Sequence, residues 1–249
     1  STYNTAVGHH AGLSVTTGLR NTYIGGLAGD EATTANDNTG VGYGALSFPG
    51  TGTQNTAIGT AALNVNTDGD NNTAVGRNAL LANTTADNNT GVGYSALRQN
   101  TTGANNTASG GVSMYSNTTG ADNTAYGYDA LSGNTTASHN TAVGKAALKA
   151  NTTGSSNVAV GRNALLTNTT GQLNIAVGQD TLGLNTTGTH NTAVGETCMY
   201  SNTTASNNTA LGASALRANT TGAENTAIGS QAGDALTTGS QNVALGYQA

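Results

Sequence analysis

This sequence is defined first by what it has little of. It has one Pro, one Cys, one Phe and no Trp, and only 8% of its residues are charged. Leu, Ile, Val and Phe together number 37 of 249. That is thin for a compact enzyme core and falls under the ~20% at which disorder enters as a prior. A disordered tail would also need high net charge, and here the net charge is only -5. No apolar run approaches the ~18 residues of a membrane span. A single Cys leaves no disulfide framework within the chain.

Asn, Thr and Gly fill the gap, in strict order. A motif close to Asn-Thr-Ala-Val-Gly begins at Asn4, Asn21, Asn38, Asn55, Asn72, Asn89, Asn106, Asn123, Asn140, Asn157, Asn174, Asn191, Asn208, Asn225 and Asn242. Every interval is 17 residues, with no insertion or deletion among the fifteen copies. Self-similarity at a fixed short period signals a solenoid or array. The consensus is N-T-A-V-G-x-x-A-L-x-x-N-T-T-G-x-x, and the Gly four places after the first Asn is present from Gly8 to Gly246.

T-A-V-G alternates β-branched and small residues, the period of a strand. The Gly after it permits a tight corner. The Ala-Leu pair (Ala79-Leu80, Ala96-Leu97) predicts a second short strand, and N-T-T-G a third corner or short strand. The expected fold is all-β: a parallel β-solenoid, or β-roll, with one coil per repeat. A stacked coil places each residue ~4.8 Å above its equivalent, and one extra residue would turn a strand's side chains to the wrong face. Fourteen such steps predict a rod of roughly 67 Å. Residues 1–249 read as a single continuous array. They begin and end mid-repeat, at Ser1 and Ala249, as a segment of a longer fibre would.

Asn at every first position suggests a ladder of stacked amides; turn propensity alone would also admit Asp, Ser or Gly. The second Asn column, Asn66 through Asn219, predicts another ladder. Three copies depart together: Gly12, Gly29 and Gly233 replace Leu, while Val15, Ala32 and Leu236 replace the second Asn. The inward apolar residue is expected to shift to the next face there. Pro49, in the same column, is expected at an exposed corner. The Ala/Gly column within the strand reads as a smooth stripe that a second chain could approach closely. With about two sizeable apolar residues per coil, the expectation is a homo-oligomer, a trimer packed on that stripe.

S-N-V-A-V-G (Ser156 to Gly161), N-N-T-A-V-G (Asn71 to Gly76) and Q-N-V-A-L-G (Gln241 to Gly246) resemble the N-S-V-A-I-G repeat of trimeric autotransporter adhesin heads. The longer consensus is similar to repeats of bacterial and phage-type tail fibres. The resemblance spans essentially the whole chain. It implies a left-handed β-roll, a side-by-side homotrimer continuing lengthwise, and an extracellular, cell-surface or virion location. The coil here is longer than the usual adhesin-head repeat, Asn stands at the Ser position, and no coiled-coil stalk or membrane anchor lies within these residues.

Little points to chemistry. His9 and His10 sit on a variable corner, and His139 and His190 lie three coils apart in one column. None has a Cys or carboxylate at metal-ligand spacing. Cys198 stands in the Ala column without a visible base. Asn66-Thr67-Asp68-Gly69-Asp70-Asn71 faintly resembles a calcium loop, but the full pattern with its terminal Glu is missing; the plainer reading of Asp68 and Asp70 is a polar turn. Seven dispersed basic residues argue against nucleic acid. Asn-x-Thr triplets fall out of the repeat itself. Tyr43, Tyr94, Tyr128 and Tyr247 follow the strand Gly and are candidate contacts for a host-surface glycan or protein, or edge packing. Arg77 to Leu81 recurs at Arg162 to Leu166, and Met114 to Ser116 at Met199 to Ser201, both five coils on. The pattern suggests block duplication.

The sequence therefore reads as a non-enzymatic fibre or adhesin shaft. An alternative is an ice-binding solenoid using the N-T-T column (Thr84, Thr101, Thr118, Thr135). A hexapeptide-repeat acyltransferase is a minor alternative, since large aliphatics occupy only two columns per coil.

Overall fold

The structure, a computed structural model, describes residues 3–48 and 50–249. The expectation for Pro49 lies outside the described residues. The chain forms two compact units, Ser1–Asn123 and Thr124–Ala249. No helix occurs among the described residues.

The first unit carries seven three-residue strands: β1 Thr5–Val7, β2 Thr22–Ile24, β3 Thr39–Val41, β4 Thr56–Ile58, β5 Thr73–Val75, β6 Thr90–Val92 and β7 Thr107–Ser109. Within the unit, β1 to β6 each pair in parallel with the strand one repeat on, as Thr73 with Thr90 and Val75 with Val92. The second unit carries β8 Thr124–Tyr126, β9 Thr141–Val143, β10 Val158–Val160, β11 Ile175–Val177, β12 Thr192–Val194, β13 Thr209–Leu211, β14 Thr226–Ile228 and β15 Val243–Leu245. The same register holds there, Thr141 opposite Val158 and Val143 opposite Val160. Each unit is thus a parallel β-solenoid with 17-residue coils.

The corner after each strand explains the unvarying Gly. Gly144 has φ +129°, and a β-carbon on it would stand 2.6 Å from the carbonyl oxygen of Gly161. Both the backbone angle and the stacking above forbid a side chain.

The Ala-Leu pair is not a strand. Ala79 and Leu80 are both fully buried, where strand alternation would turn one outward. Leu80 has φ +50°, and that left-handed step lets both side chains point inward. Coil 157–173 holds three such non-Gly residues, Asn163 (φ 58°), Leu165 (φ 52°) and Leu173 (φ 57°). Each left-handed residue is strained by roughly 1–2 kcal/mol, so coil-to-coil bonding must offset that strain at every turn.

The core is a file of Leu or Met from this corner packed against the middle strand residue. Leu46, Leu63, Leu80 and Leu97 in the first unit, and Leu131, Leu148, Leu165 and Leu216 in the second, are all 0% exposed. The Ala stripe faces this file: Ala57, Ala74, Ala159 and Ala176 are also 0% exposed. A second chain therefore cannot pack on the stripe, because the protein's own Leu residues already cover it.

The departing coils are refilled, partly as expected. Leu236 lies against Gly233 in the second unit, and Val15 against Gly12 in the first. The larger filler is Tyr23, which takes the Ala position and is 1% exposed. Gly12, Gly29 and Gly40 surround its ring; a β-carbon on Gly12 would stand 3.3 Å from it and one on Gly40 3.2 Å. Burial pushes the Tyr23 hydroxyl up to about 12, with Asn38 nearby opposing this only in part. That hydroxyl has no hydrogen-bond partner.

Candidate functional site

The two Asn columns are buried and do different work. In the first column the side-chain oxygen accepts the backbone N–H of the next Asn. Asn38 N–H reaches Asn21 Oδ1 at 3.0 Å and Asn55 N–H reaches Asn38 Oδ1 at 2.8 Å in the first unit. In the second unit, Asn174 N–H reaches Asn157 Oδ1 at 3.0 Å. The amide nitrogen donates to the carbonyl fourteen residues on, as Asn157 to Gly171 at 2.9 Å. The expected ladder is present, but its main rung is side chain to backbone. In the first unit the Asn89 amide nitrogen is buried without a partner.

The second column is a ladder of amides. Asn168 Nδ2 donates to Asn151 Oδ1 at 2.9 Å, and Asn185 Nδ2 to Asn168 Oδ1 at 2.7 Å. Asn168 also donates to Gly171 O at 3.0 Å. One carbonyl thus receives an amide from each column, filling both lone pairs. The ladder stops at Asn219, whose oxygen is buried without a partner because Leu236 follows it one coil on.

The Thr columns divide in the same way. In the N-T-T corner the hydroxyls of Thr84 and Thr101 donate to the carbonyls of Thr101 and Thr118 at 3.2 and 3.0 Å in the first unit. Thr135 donates to Thr152 O at 3.1 Å in the second. These donors are already used, so this column has little left with which to order water. The strand Thr residues differ. They share the outer face with the Val/Ile column and stand half-exposed, as at Thr56 and Thr73. No protein group bonds the hydroxyls of Thr22, Thr39, Thr56, Thr73 or Thr90 among the described residues.

The outer faces of the two units carry different side chains. All seven strands of the first begin with Thr. In the second, Val158, Ile175 and Val243 replace it, so Val158, Val160, Ile175 and Val177 form an apolar patch on adjacent strands. Covering the exposed part of one Val gains on the order of 1 kcal/mol. Burying an unpartnered hydroxyl costs about 1–3 kcal/mol. A Thr–Val rung therefore offers a protein partner no net gain, whereas a Val–Val rung does.

Tyr43 and Tyr94 in the first unit are 61% and 56% exposed, and Tyr128 and Tyr247 in the second are 59% and 72% exposed. They stand off the surface and are available for contacts. Tyr126, on β8, is also exposed at 60%. Tyr115 is half-buried, and its hydroxyl accepts from Arg98 Nη1 at 3.0 Å.

The acidic loop is occupied by its own chain. Asp70 Oδ1 accepts Thr53 N–H at 2.6 Å, and Asp68 Oδ1 accepts the Thr51 hydroxyl at 2.8 Å. Asp70 N–H in turn donates to Asp87 Oδ1 at 2.7 Å. These carboxylates act as coil-to-coil rungs. No cluster of three or more His, Cys, Asp or Glu at metal-holding distance occurs among the described residues. His9 and His10 stack at 3.8 Å. Cys198 is fully buried, and desolvation pushes its thiol up to about 12. The exposed Arg20–Asp37 pair, at 2.6 Å, holds Asp37 below the usual carboxylate range through its hydrogen bond. An open recess of about 210 Å³ in the second unit is lined by Tyr200, Ser201, Arg217, Ala218 and Asp234.

No family model matches the chain, and no curated protein matches it.

Proposed function

We propose that this chain is a structural shaft segment of an extracellular or virion-surface fibre, of the adhesin or tail-fibre kind, and not an enzyme. One observation carries the reading. The most constant residues of the repeat, the first Asn, the strand Gly and the corner Thr, are spent on stacking one coil on the next. A sequence selected for catalysis would hold its constant polar groups toward a substrate; this one turns them to its own backbone. The shaft provides length and stiffness, and Tyr43, Tyr94, Tyr128 and Tyr247 are available for a glycan or protein on a host surface.

The shaft self-associates as a homotrimer in this reading, and the apolar rungs Val158–Val160 and Ile175–Val177 are the contact that favours it. The left-handed coil and continuation of the fibre belong to the same proposal. Electron microscopy with light scattering tests it: stiff filaments of trimeric mass are expected. A monomer at micromolar concentration removes the trimer, and flexible or globular particles remove the shaft.

A further inference from the structure

We propose that the outer strand face of the first unit binds ice, through a layer of water held by its Thr hydroxyls and methyl groups. Four features carry this. The hydroxyls of Thr22, Thr39, Thr56, Thr73 and Thr90 have no protein partner, so water is what they bond. They stand in strict register, Thr39 opposite Thr56 and Thr56 opposite Thr73, repeating at the ~4.8 Å spacing of a sheet. β-Branching restricts each side chain to few rotamers, so the array is rigid before water arrives. The face also carries no charge, since its two columns hold only Thr and Val, Ile or Ser. A charged group would impose its own hydration shell on the layer.

Ice fits this face better than a second chain does. The sheet's backbone groups are paired within the unit, so a protein laid across the face would find only side-chain hydroxyls to bond, and each one covered without a partner would cost about 1–3 kcal/mol. Crystalline water donates and accepts at every lattice position. The N-T-T column is a poorer candidate because its hydroxyls already donate to the carbonyl one coil on. The next Thr column is exposed at Thr85 and Thr102 but is one residue wide and interrupted by Asp68.

The test is thermal hysteresis of the intact chain, with partition into slowly growing ice as a second readout. The native chain is expected to show both. Thr73→Lys, in the middle of the face, is expected to lower hysteresis severalfold with an unchanged circular dichroism spectrum, and Thr85→Lys to leave it unchanged. Thr73→Tyr keeps strand propensity and replaces Thr73→Lys if that variant does not fold. Absence of hysteresis in the native chain overturns the proposal. So does equal loss in Thr85→Lys, or a Thr73 variant that changes oligomeric mass and not hysteresis. The shaft reading stands or falls separately, because a stiff filament without hysteresis loses only the ice-binding face.

Discussion

The two Asn columns look alike in the sequence, and their bonding differs. Asn157 and Asn168 meet at the same carbonyl, Gly171 O. Asn157 also holds a second backbone group, the N–H of Asn174. The other partners of Asn168 are its own equivalents, Asn151 and Asn185. Removing the whole second column would leave one carbonyl per coil that still has the first column's amide. Removing the first would strand a buried N–H in every coil. That is the physical reason for Asn in all fifteen first positions, while the second position accepts Val15, Ala32 and Leu236.

Substitution breaks the comparison most directly. Asn157→Ala should destabilise by roughly 2–4 kcal/mol, since it strands the buried N–H of Asn174 and takes one of two amides from Gly171 O; urea denaturation measures it. Asn168→Leu should cost less, about 1–2 kcal/mol: it removes two amide rungs and one bond to Gly171 O, but leaves every backbone group with a partner. Equal effects of these two changes would erase the distinction. Thr169→Val removes the hydroxyl that donates to Thr186 O at 3.0 Å. It should cost about 1 kcal/mol, placing the corner column below both Asn columns.

A pH scan sharpens the comparison by leaving both columns untouched, because amides do not titrate. Burial raises the Cys198 thiol from its ordinary 9.0 to about 12. Above 9.0 the unfolded thiol loses its proton while the folded one keeps it until about 12. The folded state then binds more protons, so stability falls as pH rises through that window, by up to about 1.4 kcal/mol per pH unit. Tyr23 adds to the loss from about pH 10 upward, since its folded value is also about 12. Cys198→Ala should flatten the slope that begins near pH 9, and an unchanged slope would count against a buried thiol.

The coil length, the strand and the Gly corner were legible because each is a column property, repeated often enough for exceptions to be informative. The ladders were legible as columns but not as bonds. Nothing in an Asn tells an oxygen that accepts a backbone N–H as well as an amide, as Asn157 Oδ1 does from Asn174, from one that accepts an amide alone, as Asn168 Oδ1 does. The Ala-Leu pair misled because strand periodicity assumes ordinary backbone angles, and Leu80 at φ +50° breaks that assumption. The Ala stripe misled because smallness marks close packing without saying whether the neighbour is another chain or the Leu one corner away. Tyr23 did have a signal. A large residue in a small column coincides with Gly12 and Gly29 in the large one, and only reading the two columns together reveals the exchange. The outer Thr face needed the structure, since three columns are mostly Thr and the sequence does not say which hydroxyls the chain itself bonds.

The fixed 17-residue register also bears on how such a gene changes. Within a unit, the surface a coil presents above is chemically the surface it accepts below, Asn oxygen to Asn N–H. Removing or duplicating a whole coil therefore leaves every remaining bond with a partner of the same kind, whereas a single-codon slip destroys the register. Unequal recombination between copies is then filtered into whole-coil steps. Length becomes a heritable trait that varies in discrete increments, and the five-coil echo of Arg77–Leu81 at Arg162–Leu166 is the trace such an event would leave.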